Sequence, residues 1–190
     1  NLNAMMKTVS LDDRKTYLRF HLLTSEASHM SDTLAEINFN FWGKTFQGLK
    51  ERQPRWKRSV ENTSGELGHL LGQLYVKKYF SPGAKARVHQ MVENIIAAYK
   101  ERINNVTWMS PETKKYALAK LDKITLKLCY PDKWKDYSGL TIKRDSWVEN
   151  SFRISEFESH YDMNKLGKPV DRSEWGMSPQ TVNAYYNPSM

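Results

Sequence analysis

Cysteine is nearly absent from this chain, with Cys129 alone among 190 residues. One thiol excludes an intrachain disulfide and any multi-cysteine metal cluster. With Leu128 and Tyr130 beside it and no sequence cue for a base nearby, Cys129 reads as a buried small side chain. Long apolar runs are also missing, and no window approaches the roughly eighteen consecutive apolar residues of a membrane span. Residues 1–9 lack the basic-then-apolar layout of a secretory leader. There is no initiator Met, and Asn187-Pro188-Ser189-Met190 is an unusual terminus, so the chain is expected to be a fragment at both ends. Tandem units, low-complexity runs and sustained heptads are missing too, which excludes solenoids and coiled coils.

The usual chemical constellations are equally scarce. The histidines are His21, His29, His69, His89 and His160, and none lies four residues from another. A His-Glu-x-x-His helix is therefore absent, and each His reads as a surface or satisfied interior residue. Gly65, Gly68 and Gly72 lie inside an apolar helical pattern with no Lys-Ser or Lys-Thr after them, so they are no phosphate loop. Glu93, Asp145, Glu156 and Glu158 are carboxylates that nothing in the sequence distinguishes from solvated helix-face charge. The chain offers no catalytic residue and no metal ligand set of its own.

Charge is present in excess of one sign, +8 from 29 basic and 21 acidic residues. Nucleic acid is the first partner such a balance suggests. The cations are dispersed among acids, however, and only Arg52, Arg55, Lys57 and Arg58 cluster, around Trp56. Charge without a groove-reading element leaves nucleic acid outside the expected partners.

Helical periodicity fills most of the chain. Leu11 to Ala27 carries apolar residues at Leu11, Tyr17, Leu18, Leu22 and Leu23, with Asp12 or Asp13 in the first turn. Ser31 is placed to cap a second helix through Ile37, Phe41 and Trp42, ending near Gly43 or Gly48. Pro54 opens a long segment through Trp56, Val60, Leu67, Leu71 and Tyr75, in which the small residues Gly65, Gly68 and Gly72 imply either a close helix approach or a bend. Ser81-Pro82 and Ser110-Pro111 each combine a capping hydroxyl with Pro at the first helical position, where its missing N–H costs nothing. The helices they start are expected to pack as antiparallel neighbours. Leu128 to Leu140 breaks the pattern, with Trp134 and Tyr137 as expected anchors, and a further helix is expected from Asp145 to about His160.

After Gly167, Pro169, Gly176 and Pro179, the segment Val182 to Tyr186 fits a short strand bounded by prolines. Asn183 carries donors and an acceptor suited to a bound main chain, and an edge strand here could pair with an extended peptide. The plainer alternative is that these residues complete a sheet, with Tyr185 and Tyr186 as packing.

Several stretches together resemble the neprilysin and endothelin-converting-enzyme family of zinc metallopeptidases. They are Tyr17-Leu18-Arg19-Phe20-His21-Leu22-Leu23, Pro54-Arg55-Trp56-Lys57-Arg58, Leu74-Tyr75-Val76, Trp108-Met109, Tyr130-Pro131-Asp132-x-Trp134, Lys165 to Pro179, and Asn183-Ala184-Tyr185-Tyr186-Asn187-Pro188. The likeness covers nearly the whole chain in order. It implies a mainly α fold, a helical cap lobe over 1–165 running at 166–190 into the start of a thermolysin-like α+β catalytic lobe. By the same resemblance Asn183 and Ala184 hold the peptide main chain. The family's zinc ligands all lie downstream of this pair, so the resemblance puts the metal beyond Met190, on the remaining catalytic lobe carried by the same or a separate chain. The implied activity is hydrolysis of internal bonds of a peptide substrate, the competing reading being a helical module that binds peptides without cutting them. Ser59 stands where vertebrate members have a Cys, and Phe20 where Trp is usual. The scarcity of cysteine points to a bacterial relative, extracytoplasmic in its periplasmic or secreted setting.

Overall fold

The computed structural model describes residues 2–189. Among them the regular elements are all helices, in keeping with the mainly α class expected, with irregular chain after Asp122 and after Met163, and no strand forms. The chain divides into two compact units, residues 1–60 with 138–164 and residues 61–137 with 165–190. These interleave along the sequence, unlike the contiguous 1–165 and 166–190 division expected from the resemblance, which refers to lobes of a larger molecule.

The first unit contains α1 (Leu2–Thr8), α2 (Leu11–Glu26), α3 (Asp32–Asn38) and α8 (Trp147–Met163). Ser10 caps α2 by accepting from the Asp13 N–H, and Ser31 caps α3 by accepting from Leu34. Past Asn38 the helix widens to π geometry over Phe39–Phe46. The buried positions are small or branched: Ala27, Ala35, Gly43, Ser151 and Ile154. Around them His29 stacks on Trp147 with ring centroids 5.0 Å apart. Arg52, from the basic cluster, reaches Asp32 at 3.2 Å and Glu36 at 3.8 Å, so part of that cluster is committed to structure.

α4 (Arg55–Glu66) leads from the first unit into the second, which holds α5 (Gly68–Tyr79), α6 (Pro82–Asn105) and α7 (Pro111–Asp122). The expected single long helix is broken at Leu67, whose backbone leaves the helical region at φ −120° and ψ 31°. Of the two readings of the glycine series the bend is realised, and the close helix approach is not. The chain bends, and Gly68 and Gly72 admit a close neighbour, although that neighbour is the loop Ser178-Pro179-Gln180 rather than a helix. Ser81 and Ser110 cap α6 and α7 by accepting from Ala84 and Thr113. These two helices pack together, with Lys114 donating to the Asn104 carbonyl at 2.7 Å and Lys100 paired to Asp122 at 2.6 Å.

One expected element is corrected. Val182 to Tyr186 forms no strand among the described residues, because a strand needs a ladder partner and this segment uses its donors locally. The Asn183 N–H bonds the Thr181 carbonyl at 3.1 Å, and the Ala184 N–H bonds Asn183 Oδ1 at 2.8 Å. Val182 is wholly exposed.

Candidate functional site

The second unit carries a groove of about 770 Å³. One wall is the end of α7 and the extended stretch after it, up to Cys129; the other is the irregular chain from Arg172 to Pro188. Asn183 and Ala184, the residues singled out for backbone holding, both line it.

Each wall is fixed by bonds that the sequence did not announce. Lys85 on α6 donates to the Tyr130 carbonyl at 3.1 Å and to Asp132 at 2.6 Å, with its ammonium 4.2 Å from the Tyr130 ring centre. Phe80 meets the same ring edge-on. The loop is thus fastened through Tyr130 and Asp132, while Trp134 and Tyr137, the expected anchors, are half-buried. Lys85 also holds the Asp132 carboxyl below its ordinary range by donating to it.

Just before this clamp the chain makes a tight reversal. The Tyr130 N–H bonds the Leu128 carbonyl at 2.8 Å, and Cys129 between them has φ +69°. This is a γ-turn of the rarer, positive-φ form, which strains any residue with a Cβ. Cys129 is half-buried, where a fully buried side chain was expected. Partial burial pushes its thiol pKa up against the opposing charge of Lys85, which disfavours a nucleophilic role.

The other wall is tied back at several points. Gln180 donates to the Gly68 carbonyl at 3.1 Å and to Ser64 at 3.2 Å. The Tyr185 hydroxyl accepts from the Gly176 N–H at 3.1 Å, so this ring supports the loop. Lys127 reaches across to the Glu174 carbonyl, while Lys165 pairs with the Glu174 carboxylate at 2.6 Å.

With the N–H groups of residues 183 and 184 engaged, this wall keeps the Asn183 side-chain amide as a donor and the Ala184 carbonyl as an acceptor. These match the C=O and N–H of a neighbouring extended chain. A metal finds no such match: among the described residues no three His, Cys, Asp or Glu side chains converge to hold one. The residues present do not fit zinc.

The profile of peptidase family M13 matches residues 1–131. The chain belongs to that family. It is 41% identical to the Mycobacterium tuberculosis zinc metalloprotease Zmp1 in its inhibitor complex, with a TM-score of 0.88 over 98% of this chain and 28% of that one. It is 32% identical over 188 residues to the neutral endopeptidase of Lactobacillus helveticus, covering 98% of this chain and 29% of that protein. Against human endothelin-converting enzyme 1 the identity is 29% over 198 residues, 99% of this chain and 26% of that protein. The chain therefore spans under a third of the length of these M13 relatives. The resemblance to neprilysin and endothelin-converting enzymes read from the motifs stands, and so does the helical character of this part of the family's fold.

What sequence reasoning missed is instructive. Lys85 carries no local signature, since its partners are some 45 residues away. Of the groove's cations, Lys120, Lys123 and Lys127 lie close together in sequence, and Arg172 joins them on the groove lining from a distant segment.

Proposed function

We propose that the intact protein is a zinc-dependent metalloendopeptidase that hydrolyses internal bonds of peptides, and that this part walls the substrate cavity and holds the peptide backbone. Membership of peptidase family M13 supports the activity. The observation that carries the role of this part is the placing of Asn183 and Ala184 side by side on the wall of a groove large enough for several peptide residues.

On this reading the Asn183 amide donates to a peptide carbonyl and the Ala184 carbonyl accepts a peptide N–H. Two such bonds fix both position and direction of the chain, which lowers the entropy cost of bringing the scissile bond to the reacting groups. Zinc, when bound by the catalytic lobe, supplies polarisation of the carbonyl and activation of water. A rotation of the Asn183 side chain would also release the Ala184 N–H as a further donor. The reading that these residues bind peptides without cleavage is disfavoured by the family. We further place the protein outside the cytoplasm of a bacterium, in keeping with its bacterial relatives and single cysteine.

Asn183→Ala in the complete enzyme is expected to lower kcat/KM by about 1 to 3 kcal/mol, the usual cost of an unmade buried hydrogen bond, or roughly 5- to 150-fold. Steady-state cleavage of a fluorogenic peptide measures this. Unchanged kinetics would sink the assignment.

A further inference from the structure

Among the described residues the groove is lined by four cations, Lys120, Lys123, Lys127 and Arg172, and by no aspartate or glutamate. We propose that this groove selects peptides bearing acidic side chains, an inference that rests on the reading of the groove as the peptide's seat.

The nearby carboxylates are already engaged. Asp122 pairs with Lys100 at 2.6 Å, and Glu174 with Lys165 at 2.6 Å. Asp171 accepts from the Ser173 N–H at 2.8 Å and from the Ser173 hydroxyl at 2.6 Å, though it also feels the charges of Lys127 and Lys133. Lys120, Lys123 and Arg172 make no ion pair among the described residues. A single-sign field between apolar walls, here Leu126, Leu128 and Trp175, is screened less than one on an open surface. A Glu or Asp of a peptide held by Asn183 and Ala184 would supply the missing countercharge, whereas a Lys there would meet like charge. Sign discrimination of this kind comes from rejection as much as attraction.

The test uses the complete enzyme and a set of fluorogenic peptides in which each residue flanking the cleaved bond is in turn Glu, Gln or Lys. At low ionic strength the Glu peptides are expected to be cleaved about three- to tenfold more efficiently than their Lys counterparts at one or more positions, as a few partly exposed charge pairs give. Added salt should shrink the ratio. Lys123→Glu with Arg172→Glu should abolish or invert it, and the milder Lys120→Gln with Lys123→Gln should reduce it. Equal efficiency at every position and salt concentration, or a preference unaltered by both double variants, overturns the proposal. So does displacement of the acidic peptide by a single-stranded oligonucleotide that binds more tightly. If the preference is absent while Asn183→Ala impairs cleavage, acidic selectivity falls and the peptide seat stands. If Asn183→Ala is silent as well, both fall.

Discussion

Gly72 has no room for a side chain. A methyl group there would lie 2.7 Å from Pro179 Cδ and 3.1 Å from Gln180 Oε1, atoms of a loop fixed by its own bonds to Gly68 and Ser64. Gly65, seven residues earlier in the same series, faces nothing within 4 Å. Gly72→Ala in the intact protein is therefore expected to destabilise by about 1 to 3 kcal/mol through overpacking. Gly65→Ala should stabilise by about 0.5 kcal/mol through helix propensity and a less disordered unfolded chain. Urea denaturation midpoints measure both, and the same sign for the two variants would refute the packing account. The sequence shows three glycines on one side of a helix; it does not show which of them is covered. Cys129 teaches the same lesson, because nothing in Leu128-Cys129-Tyr130 announces a positive φ.

Helix boundaries follow from local chemistry and were largely legible. Ser31, Ser81 and Ser110 cap where expected, since a hydroxyl bonding an N–H three residues on needs no tertiary partner. The entry to α8 combines such a cap at Ser146 with longer-range ties: Asn150 exchanges two hydrogen bonds with the Lys143 backbone, and Asp145 grips Arg153 at 2.7 and 3.0 Å. The bonds from Arg153 and from the Ser146 N–H hold the Asp145 carboxyl well below the usual carboxylate range. Because its folded pKa is the lower one, the pair's stabilisation is present above the unfolded value of about 4 and is lost as pH falls through the depressed value. Amide protection in the first turn of α8 should thus hold steady at neutral pH and decline on acidification below about pH 4. Asp145→Asn should lower that protection at neutral pH and flatten its pH dependence. Identical protection factors in both proteins would remove the carboxylate from the account. The π-helical turn at Phe39–Phe46 and the break at Leu67 were not legible, since the apolar spacing of a helix continues through both.

Over the whole molecule, very little apolar surface is put away. A folded protein of this chain's mass, 22.2 kDa, exposes about 9,400 Å² by the usual scaling. This one exposes 14,978 Å², and among the large apolar side chains of the described residues only Ile154 is buried. Leu11, Leu18 and Leu22 on α2, and Met91, Ile95 and Tyr99 on α6, all stand exposed in helical register. These apolar rows have few partners within the described residues. Expressed alone, the 190-residue chain is expected to bind the dye ANS strongly and to self-associate, whereas the full-length protein does neither. Fluorescence titration with light scattering reads this directly. A monomeric isolated chain that leaves the dye dark would overturn it.

The sequence by itself determined where several helices begin, at Ser31, Ser81 and Ser110, and, through motifs spread from Tyr17 to Pro188, the family. Capping, proline placement and 3.6-residue periodicity act over a few residues, so they can be read along the chain. Tertiary structure alone decided that Val182 to Tyr186 turns its donors inward for want of a ladder partner, and that the loop at Ser178 to Gln180 covers Gly68 and Gly72. It also decided that Lys85 clamps one groove wall and that Arg172 and Asn183 line the same groove as Lys120, Lys123 and Lys127. Hydrogen bonds, close packing and charge fields act through space between residues that the sequence holds far apart.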